Sequence, residues 1–447
     1  MSRFFLIAII MLLNTLILCK YIYPVKISEN GRYLMDQKGT PFLYVADTAW
    51  FIFDRLSEEE YDFYLDDRMS KGFTVIQVMA PWEKNRFNYY GELPFDEYGN
   101  LATPNEKWWK HVDTFVEKAA KRGIMVNIVP LWLGYWGTQW FEILPKNDLK
   151  TCFEFGQFLG NRFKNYKNVI FTIGGDHDPQ DRFKYLNQIA LGIKSMIPDR
   201  VITAHTWENK IATDCYKEAS WLDLNAVYTY YPEWNHNFHV YVLALKAYNY
   251  VPTKPFILIE SGYENASIPG ITTVKPYHIR REIYWAMLCG ATGFAYGNSD
   301  IWQFSLRWKE ALNDPGVFCV KHAVDLFKKI QWWRLIPDQF HEFLIDGYGT
   351  FNYRNCPDGD DYVTAAFTKD RKFFIAYIPH TKMKEKRILT IDTRKFSCST
   401  VKMMWFDPTT GHFLEKEVIN TGKIIKIQTP GKNSEGNNDW ILIMEGT

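Results

Sequence analysis

The chain has 447 residues, with 52 basic against 51 acidic and a formal net charge of +1. That balance excludes a nucleic-acid surface built on bulk charge and a polybasic membrane patch, and the length calls for more than one average domain. Aromatics make up 17% of residues, 17 of them Trp; the part that exceeds a core suits a site that stacks flat faces on its ligand.

Residues 1–19 read as a secretory signal. Arg3 is a minimal positive region, and Phe4 to Leu18 is apolar except at Asn14 and Thr15, too short for a confident membrane span. Cys19 follows Leu16-Ile17-Leu18. It is a candidate lipidation site, and the alternatives are an ordinary signal cut a few residues later or an uncleaved anchor. The protein is therefore expected to be exported, with membrane contact only through such an anchor. The other cysteines show neither a CxxC pair nor Cys/His ligand spacing, so no metal or cofactor is expected. Cys289 and Cys319 fall on apolar helix faces and are expected as buried thiols.

From residue 40 to 335, strand-like runs alternate with helical ones, the pattern of a parallel α/β architecture. The first strand is Phe42 to Ala46, ending in Asp47, with Trp50 just beyond. A helix over Ser57 to Lys71 opens on a capping box of Ser57 and Glu60. The second strand, Phe73 to Met79, leads into Pro81-Trp82-Glu83 and a loop through Pro104. A helix over Glu106 to Arg122 carries Val112, Phe115, Val116 and Ala119 on one face. The third strand, Ile124 to Val129, opens into a loop holding Trp132 and Trp136. A helix at about Asp148 to Lys164 leads to the fourth strand, Val169 to Ile173, which ends Gly174-Gly175-Asp176-His177-Asp178.

The fifth strand, Val201 to Ala204, ends in His205, and the sixth, Asn225 to Thr229, in Tyr230. The seventh, Phe256 to Ile259, ends in Glu260, with Glu264 close behind. The eighth, Gly293 to Tyr296, is followed by Trp302, and helices are expected at Pro276 to Cys289 and Gly316 to Trp333. Eight such strands are the count of a closed (β/α)8 TIM barrel, whose sites sit at the C-terminal ends of the strands. A doubly wound sheet would need a glycine-rich loop after the first strand, and Ala46-Asp47-Thr48-Ala49-Trp50 is not one. The barrel is expected over 24–340. From 341 to 447 the pattern changes to short strands separated by turns such as Asp407-Pro408-Thr409-Thr410-Gly411, a small antiparallel β-sandwich.

Asp176 and Glu260 end the fourth and seventh strands, which face each other across a barrel mouth. Two carboxyl groups flanking one bond are what glycosidic cleavage requires. On residues alone, Glu260 is equally readable as a structural acid held by Arg280 or Arg281, and Asp176 as a cap on its own turn. The aromatics Trp50, Trp82, Trp132, Trp136 and Trp302 are candidates to hold a sugar. Asp47, His177, His205, Tyr230 and Glu264 are candidates to bond its hydroxyls or to orient a carboxylate, Tyr230 by bonding Glu260.

The chain resembles the apiosidase-like family of bacterial glycoside hydrolases. The resemblance rests on Ala46-Asp47-Thr48-Ala49-Trp50, Lys71-Gly72-Phe73-Thr74-Val75-Ile76-Gln77, Pro104-Asn105-Glu106, Gly174-Gly175-Asp176, Glu260 with Tyr263-Glu264, Gly297 with Ile301-Trp302-Gln303, and Trp332-Trp333 with Pro337-Asp338. The tail, with Trp405-Phe406-Asp407-Pro408, Asn420-Thr421-Gly422 and Asp439-Trp440, is similar to the β-domain that follows in that family. The resemblance implies a retaining hydrolase of plant-type polysaccharide side chains, with Glu260 as nucleophile and Asp176 as acid/base. Ile259 and Ser261 around Glu260, and His177-Asp178-Pro179 after Asp176, depart from the family pattern and bear on the sugar accepted.

Overall fold

The computed structural model describes residues 21–81, 86–231, 238–266, 273–352, 359–382, 385–414 and 416–447. The expected signal segment, Cys19 and Trp82 lie outside the described residues.

Eight parallel strands form the barrel: β1 (Tyr44–Thr48), β2 (Val75–Met79), β3 (Met125–Val129), β4 (Val169–Gly174), β5 (Ile202–His205), β6 (Asn225–Tyr228), β7 (Phe256–Glu260) and β8 (Gly293–Asn298). Each is followed by a helix: α1 (Glu58–Ser70), α2 (Glu106–Lys121), α3 (Leu149–Phe163), α4 (Phe183–Met196), the short α5 (Ala212–Tyr216), α6 (Val240–Tyr248), α7 (Pro276–Leu288) and α8 (Pro315–Lys329). The sheet runs β5-β4-β3-β2-β1-β8-β7-β6. At the seam, the N–H groups of Asp223 and Leu224, just before β6, donate to the Ile202 carbonyl of β5 at 3.0 and 3.3 Å. Local sequence sets the helix starts as expected. Ser57 Oγ accepts from the Glu60 N–H at 3.3 Å while Glu60 returns a bond to the Ser57 N–H, and Asp148 caps α3 through the Thr151 N–H at 2.7 Å.

The barrel interior carries a polar layer. Tyr44 Oη donates to Gln77 Oε1 at 2.8 Å and accepts from Asn127 Nδ2 at 3.0 Å, while Thr172 donates to Asn127 at 2.8 Å. Gln77 Nε2 donates to the Ile259 carbonyl at 3.0 Å, just before Glu260. Every buried amide of this chain of contacts is satisfied, which fixes strand register beneath the mouth.

The first strand starts later than expected, at Tyr44. Pro41–Phe42 belongs instead to a small antiparallel sheet with Lys26–Ile27 and Leu34–Met35. It lies against the N-terminal end of β8, where the Leu34 N–H donates to Thr292 Oγ1 at 3.0 Å.

The C-terminal domain is two antiparallel sheets. One contains β9 (Leu335–Pro337), β11 (Thr364–Thr368), β12 (Phe373–Ile378), β14 (Thr400–Asp407), β15 (His412–Phe413), β16 (Glu417–Asn420) and β18 (Trp440–Gly446); the other contains β10 (Leu344–Asp346), β13 (Ile388–Asp392) and β17 (Ile424–Gln428). Phe343, Phe374, Leu389, Ile391 and Leu442 pack between them. The sheet already begins at β9, which pairs with β11.

The two domains lock through α7. Arg280, fully buried, bonds Asp439 through Nε at 2.6 Å and Nη2 at 3.0 Å, and Glu435 through Nη1 at 2.9 Å. Arg281 reaches Asp360 at 2.9 Å and Tyr231 Oη at 2.7 Å. Both arginines therefore serve the domain interface, and neither holds Glu260.

Candidate active site

The turn after β4 is built on two glycines with left-handed backbone, Gly174 (φ +94°) and Gly175 (φ +134°), and continues into Asp176 at φ +51°. A Cβ on Gly175 would lie 2.3 Å from the Trp132 ring, and one on Gly174 would lie 2.5 Å from the His205 carbonyl. Only glycine lets the indole lie against this backbone, and the tight turn delivers the Asp176 carboxylate to the mouth. At the end of β7 the pairing slips. Val227 faces Leu258 but Tyr228 faces Glu260, so β7 carries one extra residue just before the acid. Such a bulge breaks the alternation of the strand and re-aims the side chain at its end.

Glu260 is buried among three donors. His205 Nε2 lies 2.7 Å from Oε2, Trp50 Nε1 lies 3.3 Å from Oε1, and Tyr263 Oη also donates to Oε1. Trp50 Nε1 bonds Tyr263 Oη as well, at 2.6 Å. Burial works against charge on His205, but the bond to Glu260, the charge of Glu260 and that of Asp176 outweigh it and raise its pKa. When protonated, His205 donates to Glu260 through Nε2 and to the Thr206 carbonyl, 3.0 Å away, through Nδ1.

Asp176 is half-buried and accepts from Tyr228 Oη at 2.7 Å. Its pKa is pushed up to about 7, first by desolvation and then by the charge of Glu260; His205 and the Tyr228 bond act in the opposite direction. One oxygen of Asp176, one oxygen of Glu260 and a ring nitrogen of His205 all lie within 4.8 Å of one another. Among the described residues these three are the one cluster with metal-ligand character. His205 spends both ring nitrogens on Thr206 and Glu260, so a cation there would have to displace the bond that orients Glu260.

The carboxylates open into a cavity of about 660 Å³ lined by Trp50, Trp132, Asp176, Tyr230, Glu260 and Trp302, together with Phe51, Met79, Arg55, Arg86, Tyr135, Gln139 and Tyr263. The Trp50 and Trp132 rings are 5.2 Å apart, Trp132 and His205 are 5.0 Å apart, and Phe51 meets the Trp302 edge at 4.9 Å. Trp136, expected to hold substrate, is 71% exposed and is not among the residues lining the cavity. Its ring is 5.0 Å from Trp207, which stacks on Tyr135 at the same distance.

Four sequence expectations are corrected. Asp47 does not line the cavity; its Oδ2 lies 2.7 Å from Tyr64 Oη and 3.3 Å from Arg68, fully buried between β1 and α1. Tyr44 points into the barrel, and a residue three positions on along a strand points out. Glu264 is also turned away. It bonds Tyr296 Oη and the Gly316 N–H, the latter at 2.7 Å, at the start of α8, where a carboxylate complements the helix dipole. Burial pushes its pKa up to about 6 against these bonds. His177 packs on Phe141 at 4.4 Å and bonds the Asp178 carbonyl, outside the cavity lining. Tyr230 lines the cavity, but the tyrosines bonded to the carboxylates are Tyr228 and Tyr263. Their sequence signal was proximity alone, Tyr263 three residues after Glu260 and Tyr228 at the end of β6.

A family model described as "Apiosidase-like, catalytic domain" matches residues 28–334, and one described as "Putative collagen-binding domain of a collagenase" matches 354–445. No curated protein matches. Among solved structures, one described as a glycoside hydrolase is 24% identical with a TM-score of 0.82, covering 96% of this chain and 98% of its own. A glycoside hydrolase family 5 structure from Bacteroides vulgatus is 24% identical with a TM-score of 0.81, covering 95% of each chain. A further glycoside hydrolase fold from the same organism aligns at 11% identity and a TM-score of 0.63 over 95% of this chain and 82% of its own. These likenesses show the fold, barrel and β-domain together.

Proposed function

The chain belongs to the apiosidase-like family of glycosidases, and on that premise we propose a retaining hydrolase that removes a sugar from a pectic side chain by double displacement. Glu260 attacks the anomeric carbon while Asp176 gives its proton to the departing oxygen. The carbon–oxygen bond breaks as the Glu260 ester forms. Ionised Asp176 then takes a proton from water, whose oxygen attacks the same carbon and frees Glu260. The carrying observation is the pair itself, with one oxygen of each carboxylate within 4.8 Å of one oxygen of the other. Retaining pairs sit about 5–5.5 Å apart, whereas inverting pairs leave about 6.5–9.5 Å for a water.

Electrostatics supports the division of roles. An acid with a pKa of about 7 holds its proton near neutrality, while three donors hold the Glu260 carboxylate in place. Esterifying Glu260 removes the larger of the two charges that raise the Asp176 pKa alongside desolvation, so Asp176 becomes readier to ionise when it must act as base. Trp50, Trp132 and Trp302 supply apolar walls for the sugar. The N-terminal segment is read as an export signal, testable by the mass of the mature N-terminus.

The test is a screen of pectic side chains and aryl glycosides with wild type beside Glu260→Ala and Asp176→Ala. Cleavage by wild type and its loss in Glu260→Ala support the reading. A Glu260→Ala protein that cleaves as wild type does, or wild type inert on a glycan that it binds in this cavity, overturns it.

A further inference from the structure

A second large cavity, about 750 Å³, lies at the opposite end of the barrel. Gly290 and Ala291, just before β8, form part of it, whereas Ser299, just after β8, lines the first cavity. The six residues of β8 therefore separate the two sites by about 20 Å, at roughly 3.3 Å per residue. Its volume falls within the range of small-ligand sites, about 300–1,000 Å³.

Four aromatic side chains face this space: Tyr33 from the N-terminal sheet, Tyr248 at the end of α6, and Trp332 and Trp333 between the barrel and β9. Their packing is built in. Gly290 has φ +95°, and a Cβ there would lie 2.4 Å from the Tyr248 ring. Arg32 lies over that ring at 4.0 Å and bonds the Tyr248 carbonyl at 2.6 Å. Tyr33 and Trp333 each meet Trp332 edge-on at 6.1 Å.

The polar ends of these aromatics are unspent. Fully buried tyrosine hydroxyls and indole N–H groups normally find a partner within the protein; these four are not enclosed and can meet water or a ligand. Among the described residues, none accepts a bond from the indole nitrogens of Trp332 and Trp333, and none pairs with the hydroxyls of Tyr33 and Tyr248. Lys369 at the edge is likewise unpaired among them, while Arg334 is paired with Asp370 at 2.6 Å. Flat apolar faces fringed by free donors are complementary to a pyranose ring, which has C–H faces and a hydroxyl rim. An aliphatic ligand would leave the donors unmet, while Arg32 and Lys369, neither ion-paired among the described residues, also suit an acidic sugar.

We propose that this cavity is a second, non-catalytic carbohydrate site that holds a polysaccharide segment away from the bond being cleaved. It rests on the glycosidase reading only for the identity of the glycan. Its consequence is avidity. An enzyme tethered at its far end meets scissile bonds at a raised local concentration, so polymer turnover at low substrate gains while short substrates gain nothing.

The test uses the full chain with Glu260→Gln, Trp333→Ala/Glu260→Gln and Arg334→Ala/Glu260→Gln, run in native gels containing polygalacturonan, rhamnogalacturonan with its side chains, or arabinogalactan. At least one glycan should retard the parent, and Trp333→Ala should weaken that retardation by about tenfold in apparent Kd, equivalent to about 1.4 kcal/mol. Arg334→Ala, at the exposed edge, should weaken it less. In active protein, Trp333→Ala alone should raise KM on polymer and leave kcat, and all turnover of an aryl glycoside, unchanged. No retardation of the parent by any of the three glycans overturns the proposal. So does undiminished retardation of the correctly folded Trp333→Ala protein, or an equal loss on polymer and aryl glycoside. An aryl glycoside that wild type fails to cleave counts against the glycosidase reading, while the gel result stands by itself.

Discussion

Tyr228→Phe isolates the control of the acid/base. Tyr228 is fully buried behind Asp176, and its hydroxyl donates to Asp176 Oδ1 at 2.7 Å. Phenylalanine keeps the ring and its 4.4 Å contact with His205 and removes only the donor. That bond favours the ionised carboxylate and holds down a pKa otherwise raised by burial and by Glu260. A hydrogen bond to a charged group contributes about 1.5–3 kcal/mol, and at about 1.4 kcal/mol per unit its loss should raise the pKa by about 1–2 units. Because the acid must be protonated to act, kcat/KM should fall at high pH with an apparent pKa near 7 in wild type. In the variant this limb should move upward by about 1–2 units. The value belongs to the coupled Asp176–Glu260 pair. The assay is kcat/KM on an aryl glycoside from pH 4 to pH 10, with folding checked by near-UV circular dichroism. An unmoved limb, or one displaced to lower pH, refutes the assignment of Asp176 as the titrating acid.

Three further outcomes follow from named contacts. The Asp176 pKa is raised in the folded protein, from 3.8 to about 7, so the native state binds this proton more tightly and stability falls as pH rises through that window. Asp176→Asn should gain Tm relative to wild type on going from pH 5 to pH 8, and a difference independent of pH would contradict the shift. Asp47→Asn should destabilise by about 1–3 kcal/mol, read from urea midpoints, because the buried Arg68 loses its fully buried carboxylate partner and keeps only Asp67, 2.7 Å away. Its KM should stay at the wild-type value wherever it is folded; a changed KM with unchanged stability would return Asp47 to the cavity. Gly175→Ala must displace Trp132, with overpacking of about 1–3 kcal/mol, and should lower kcat/KM by about tenfold or more. Wild-type activity would mean that the Trp132 face does not hold substrate.

The barrel was legible because each strand is a short apolar run bounded by turn residues and five of the eight helices stand out between them; α4, α5 and α6 do not appear in the sequence reading. Helix starts at Ser57 and Asp148 follow from local bonds and lie where the sequence puts them. The C-terminal sheet was read less fully. β9 and β16 are short pieces whose pairing depends on distant partners, and no local pattern marks them. In the candidate site, the strand-end rule located Asp176, Tyr230 and Glu260, which line one cavity, and His205, which bonds Glu260 from behind it. It failed for Asp47 and Glu264 because a strand end has two faces and the rule names only one. Asp47 has the parity opposite to Tyr44, whose interior bonds to Gln77 and Asn127 require tertiary knowledge. Glu264 follows Tyr263 on a two-residue strand paired with Gly297–Asn298, so Tyr263 turns to Glu260 and Glu264 to α8. The bulge before Glu260 is likewise a property of the β6–β7 register, which no single strand shows.

The most direct test of the two carboxylate roles is azide rescue followed by NMR of the product. With Asp176→Ala on an activated aryl glycoside, azide should intercept the Glu260 ester and give a glycosyl azide with the configuration of the substrate. With Glu260→Ala, azide should occupy the place of the missing carboxylate and give the opposite configuration. Inverted azide from Asp176→Ala, or rescue of neither variant while wild type cleaves the same substrate, would contradict double displacement through Glu260.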